Sequence, residues 1–245
     1  MKKIIVALSI FASFLFASCN KNNEDLYQGV ATGTVRLLNG DSYYLKVDEE
    51  TALRVNNDGW DKFPFQEKKE TRVLFSYLTN MKDMQNRPVG MEKYKHVYAA
   101  TLTAFDPIMT KNLAPHTEDD TKTYGCDYVG VYLDDKMFPP TIIEDGYLNI
   151  LFNVNMYDTS IKHDINLVAG VDPEDPYVLE LRYNANGDTK VEKLVDQYAA
   201  FSLRGLPDTH GETVDLTLKW YSPVAMGWTS TTFKYKSRTD WPVTE

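Results

Sequence analysis

The chain has 245 residues, a formal net charge of −9 and an aromatic content of 13%. Its length allows one large domain or two modest ones. An acidic balance of this size repels phosphate backbones, so nucleic-acid binding is set aside, as is adhesion to anionic lipid by charge.

The start reads MKKIIVALSIFASFLFASC. Lys2 and Lys3 form a positive n-region, residues 4–16 a short apolar run, and Ala17 and Ser18 small residues before Cys19. That order is a secretory signal peptide, and the run is too short and too interrupted for a membrane span. A cysteine directly after small residues resembles the bacterial lipobox, in which the thiol is acylated and becomes the mature N-terminus. Cleavage there removes residues 1–18 and with them Lys2 and Lys3, which leaves 227 residues and a formal charge of −11. Several acyl chains, at about 0.8 kcal/mol per buried CH₂, anchor a protein without a spanning helix. Residues 19–28 then act as a flexible tether, being polar at their start. Asn20 in place of Asp points to outer-membrane sorting, with the periplasmic and cell-surface faces both open.

From residue 29 the pattern is β. GVATGTVRLL alternates, Asn39-Gly40 signals a tight hairpin, and SYYLKVDEETALRV alternates again. TRVLFSYLTN carries apolar residues on both faces: Val73, Phe75 and Tyr77 on one, Leu74 and Leu78 on the other. YKHVYAATLTAFDPIMTK (94–111) reads as one long strand. About five strands in this span fit a small OB-like barrel. The polar, acidic stretch 112–122 is the candidate boundary, with a short helix permitted near 112–120.

A second β pattern follows at YVGVYL, GYLNILFNVNMY, IKHDINLVAG, YVLELRYNA, AAFSLRGL, TVDLTLKWYS and TTFKYKS. Short strands at this spacing predict an antiparallel β-sandwich. The expected division is a signal peptide at 1–18, a tether at 19–28, a barrel at 29–114 and a sandwich at 115–245.

GYLNILFNVN, KHDINLV, PYVLELRYNANGD and AAFSLRGLPDTHGETVDLTLKW, with GTVRLLNGDSYYLKVDEETALRV and TRVLFSYL before them, resemble the NigD-like lipoproteins of Bacteroidetes. The resemblance implies an OB-like N-terminal domain and a C-terminal β-sandwich. It brings no settled activity and no catalytic residues. The family's name implies a bacteriocin-immunity role as one reading.

No catalytic signature emerges. HExxH, GxSxG, a phosphate loop and the dinucleotide glycine fingerprint are all missing from the sequence. His96, His116, His163 and His210 lie far apart, so no metal or cofactor is expected. The acidic clusters lack the spacing of a calcium loop and read as solvated surface. Cys126, left alone after Cys19, reads as a buried, inert thiol beside Asp127. His163 shares parity with Ile165 and Leu167, so it points inward and needs hydrogen-bond partners, with Arg182 or Asn184 as candidates. Trp60 and Trp228 fall in predicted loops and Trp241 in the tail; exposed rings there would contact a glycan or a protein partner.

The sequence therefore describes a non-catalytic, lipid-anchored, outer-membrane β-protein that binds a glycan or protein partner. An immunity-like or envelope-assembly role is the alternative. Cys19→Ala is expected to move the protein from the detergent phase to the aqueous phase of a Triton X-114 partition. Retention in the detergent phase would refute acylation at this thiol.

Overall fold

The computed structural model describes residues 26–38, 42–56, 70–84, 90–135, 138–188 and 190–241. Cys19, the Asn39-Gly40 turn and Trp60 lie outside them.

Five strands form a closed barrel: β1 (Leu26–Leu38), β2 (Ser42–Lys46), β3 (Thr51–Val55), β4 (Thr71–Met84) and β5 (His96–Pro107). Around the barrel they run β1-β2-β3-β5-β4, with β3 and β5 parallel and the other pairs antiparallel. This is the expected OB-like arrangement, and closure leaves it no sheet edge. Period-two alternation drives Val35, Leu45, Leu53, Val73 and Phe75 into one core.

The expected strand 94–111 is two strands. Pro107, which has no N–H to donate, ends the barrel ladder. β6 (Met109–Asn112) then pairs in parallel with a strand of the second unit, and β7 (Ala114–Pro115) joins the opposite sheet. The changeover between units therefore falls at Ile108, ahead of the expected 114/115. Lys111 ties this crossing down: its ammonium donates to the Ile165 carbonyl at 2.6 Å and to Asn166 Oδ1 at 2.9 Å. A short helix follows, α1 (Asp120–Tyr124), with Asp119 as its N-cap.

The remaining strands are β8 (Gly130–Val131), β9 (Ile142–Glu144), β10 (Tyr147–Met156), β11 (Asp164–Ala169), β12 (Val178–Asn184), β13 (Lys193–Ser202), β14 (Val214–Ser222) and β15 (Gly227–Tyr235). One sheet runs β6-β13-β10-β8, with β9 also on β10; the other runs β15-β14-β12-β11-β7. The sheets enclose a core that includes Leu148, Ile150, Phe152, Leu179, Leu181, Phe201, Leu216, Leu218 and Trp220. Most pairings are antiparallel; β6–β13, β7–β11 and β12–β14 are parallel.

The barrel packs on one end of this sandwich. Leu74, on the outer face of β4, meets Ile108, Tyr147 and Ala200, which explains why TRVLFSYL is apolar on both sides. The polar part of the contact centres on the β9–β10 hairpin. Its two-residue turn is Asp145-Gly146, with φ of 50° and 76°. Both positive values define a primed turn, for which Asp-Gly is a preferred pair. A Cβ at Gly146 would lie 2.6 Å from the Trp241 ring, so glycine also admits the returning tail.

The Asp145 carboxylate is fully buried and faces three cations: Lys46 Nζ at 2.6 Å, Arg36 Nη2 at 2.8 Å and Arg238 Nε at 3.3 Å. The Thr34 hydroxyl donates to it at 2.6 Å. Arg238 also donates to Glu70 at 2.6 Å and Asp240 at 2.7 Å. Arg72, fully buried, donates to Asn149 Oδ1 at 2.9 Å and Thr34 Oγ1 at 2.8 Å. Burial alone would raise the Asp145 pKa; the charges of Arg36, Arg238 and Lys46 outweigh it and hold it below the usual carboxylate value.

A carboxyl depressed in the fold stabilises it above the unfolded value of about 3.9, and that contribution is lost as pH falls through the folded value. Asp145→Asn keeps the shape but leaves three cations facing a neutral group. It is expected to cost about 3–5 kcal/mol in urea unfolding at pH 7, and less below pH 3. An unchanged midpoint would show that the network does not hold the units together.

Candidate binding surface at the far end of the sandwich

β10 runs from the barrel contact at Tyr147 to Asn155, eight residues or ~26 Å away. At that far end the sandwich opens. A groove of about 760 Å³ lies there, lined by Tyr128, Val131, Val154, Leu194, Trp220 and Val224 among others. Its apolar rim projects into solvent: Val224 is 92% exposed, Val191 80% and Leu194 64%, and Met226, 74% exposed, stands in the adjoining turn. A cluster of exposed apolar side chains of this kind is a candidate interaction surface.

Beside the groove, the outer face of the second sheet carries a row of rings. Tyr221 and Trp228 are register partners on β14 and β15, in edge contact at 5.8 Å. Tyr128 stacks on Tyr221 at 4.7 Å, and their hydroxyl contact raises the Tyr221 pKa. The Arg182 guanidinium sits 4.7 Å above the Trp228 ring. Arg182 is held there by Glu180, to which its Nε donates at 2.9 Å, and by Thr121 Oγ1 at 3.2 Å. The cation sits over the indole with its charge already paired to Glu180.

Trp228 thus stands on a strand rather than in the predicted loop. The β14–β15 connection is only residues 223–226, and Met226, at a φ of 53°, turns the chain so that pairing resumes at Gly227. Trp241 is elsewhere. It folds back at the barrel end, 5.4 Å from Tyr147 and 4.4 Å from the Arg238 guanidinium, and does not join the surface cluster.

His163 has different partners from those expected. Its Nδ1 meets the Tyr183 hydroxyl and its Nε2 lies 3.2 Å from Asp188 Oδ2. Asp188 also accepts the backbone N–H groups of Tyr157 at 2.8 Å and Asp158 at 3.0 Å. Parity explains the correction: Tyr183 points inward on β12, while Arg182 and Asn184 point outward. The inward His163 could therefore reach only Tyr183. Asn184 instead accepts the Asn186 N–H at 2.8 Å in the following turn. This cluster closes a strand end and leaves its polar groups paired.

Cys126 is partly exposed next to Arg182; burial pushes its thiol pKa up, against the guanidinium, which draws it down. Among the described residues no group of three or more His, Cys, Asp or Glu could hold a metal ion. Local alternation does not bring Arg182 and the two tyrosines onto one surface, because β12 and β14 are parallel neighbours separated in sequence by the excursion through β13.

Arg182→Ala is expected to cost only about 0.5–2 kcal/mol and to make Trp228 fluorescence more quenchable by acrylamide, with Trp228→Phe as the reference. Unchanged quenching would mean the guanidinium does not cover the ring in solution.

Residues 112–235 match the model of the NigD-like C-terminal β-sandwich domain. Among solved structures, a protein described as toxin-related from Parabacteroides distasonis is 28% identical with a TM-score of 0.66, over 86% of this chain and 94% of that one. A protein of unknown function from Bacteroides vulgatus is 22% identical with a TM-score of 0.63, over 89% and 95%. A NigD-like immunity protein from Bacteroides caccae is 20% identical with a TM-score of 0.58, over 85% and 96%. These last two similarities show the fold alone. No protein of curated function matches the chain. With just over half its length matched by the domain model, the chain belongs to the NigD-like family.

Proposed function

We propose that this chain is a non-catalytic, lipid-anchored envelope protein that grips a protein partner with the far end of its sandwich. The observation that carries the reading is the pairing of an exposed aliphatic rim with a preorganised Arg182–Trp228–Tyr221–Tyr128 row. Trp, Tyr and Arg are the side chains that dominate protein interfaces, and a surrounding apolar rim excludes water from them. A glycan would use the rings but has no need for Val191, Leu194, Val224 and Met226.

The anchor is Cys19, with residues 1–18 as its signal; the tether is shorter than the expected 19–28, because β1 already begins at Leu26 and pairs residues 26–28 with β4. No helix among the described residues is long and apolar enough to cross a membrane, and a lipid would hold the protein to the outer membrane without one. Immunity is said of the Bacteroides caccae protein; for this chain it is the narrower form of the same reading, a grip on an incoming protein.

The test is a photo-crosslinking residue at Val224 in cells that make the protein. The expected result is one discrete protein adduct, reduced about tenfold by Trp228→Ala and not formed from Glu174, at the opposite end of β12. No adduct from Val224, or an equal one from Glu174, would overturn the reading. Binding on a glycan array that Trp228→Ala abolishes would replace the protein partner with a glycan.

A further inference from the structure

This sandwich treats its edges unequally. β6, β7, β8 and β9 contribute only four, two, two and three residues. Very short edge strands keep a sheet from recruiting another chain. β15 is nine residues long and pairs on one side only, with β14. It holds no proline, and its one lysine, Lys234, lies near its barrel end. β9 approaches β15 without pairing with it. Outside the β14 ladder, no backbone–backbone hydrogen bond among the described residues involves β15. Its other N–H and C=O groups therefore face an open edge, in the geometry that accepts a further strand.

That edge runs directly into the groove. Along β15, Thr229, Thr231 and Phe233 turn toward the sandwich interior, while Trp228, Ser230 and Thr232 face outward. Thr229 itself lines the groove with Val131, Val154 and Val224, and is the register partner of Trp220.

We infer that β15 is a strand-addition site: an extended segment of the partner pairs with its free edge and sets alternate apolar side chains into the groove. The inference rests on the partner-binding reading above and names the partner's form. Backbone pairing supplies the register, and the groove selects the side chains at every second position. A second copy of this chain fits less well. Its own β15 would offer Thr229 and Thr231 to the seam, small hydroxyl side chains that would leave the apolar part of the lining, Val131, Val154, Leu194, Trp220 and Val224, unfilled.

The probe is a displayed library of random linear 12-residue peptides, selected on the mature chain without its lipid. The selected peptides are expected to alternate apolar and polar residues and to slow amide hydrogen exchange in residues 227–231. Thr229→Lys, a charge pointed into the seam, should weaken their binding about tenfold or more. Thr232→Lys, outward on the same strand, should leave it within about twofold. The exchange measurement needs no variant, so a Thr229→Lys protein that fails to fold does not decide the matter.

Peptides that bind without slowing exchange in β15 would overturn strand addition. If Trp228→Ala still abolished that binding, the binding surface would stand while its proposed mode fell. Absence of any selected peptide would overturn it as well. A dimer in light scattering, with β15 protected before any peptide is added, would assign the edge to a second copy instead.

Discussion

The buried Asp145 carboxylate, held among Arg36, Lys46 and Arg238, is the constraint on which the rest of the structure depends. Taking an ion out of water costs several kcal/mol, repaid only when charges and hydrogen bonds meet in good geometry. Here the geometry is supplied from three directions. Arg36 and Lys46 come from the barrel, Arg238 from the segment after β15, and Asp145 from the tip of a two-residue turn. None of these can move without exposing the others to an unpaired charge. The apolar contact of Leu74 with Tyr147 and Ala200 adds area, yet an apolar face could slide. The charges define one relative placement of barrel and sandwich.

The same end of the molecule explains what the sequence concealed. Alternation is local, so the strands of both units could be anticipated from GVATGTVRLL to TVDLTLKWYS. Arg36, Lys46 and Arg72 stand at positions that alternation assigns to solvent. They are buried because a second domain covers that face, which no local pattern records. The Asp145-Gly146 pair was a visible hairpin signal, ahead of GYLNILFNVNMY, and would have drawn β9 into view. Its role as the anion of an interface was not visible, since its partners lie about 100 residues away.

The far end was legible in part, and for equally physical reasons. Trp228 fell in a predicted loop because Gly227 directly before it reads as a breaker, whereas a four-residue connection, 223–226, brings it onto β15. The row it forms needs β12 beside β14, a parallel pairing that joins segments separated in sequence. His163 was placed inward by parity; carrying the same parity through β12 selects Tyr183 over Arg182. Trp241 fell to the barrel end because Arg238 and Tyr147 offer its ring a cation and an edge.

These two ends divide the molecule's tasks. The ion cluster fixes the base of β10, β14 and β15, and the groove opens where the strands lose their partners. Sites separated by ~26 Å of strand share no side-chain contacts, and substitutions at such distances add nearly independently. The surface at the far end can therefore change its side chains without disturbing the charges that hold the domains together. A closed barrel offers no edge, and most of the sandwich's edges are too short to recruit a strand. Among the described residues, the longest free side left for another chain is that of β15, with the apolar seam beside it. The protein is acidic overall, yet its groove is mostly apolar and the Arg182 cation beside it already rests over an indole and pairs with a glutamate. Under the proposed reading, recognition at this end comes from shape, apolar contact and backbone pairing, with long-range charge contributing little.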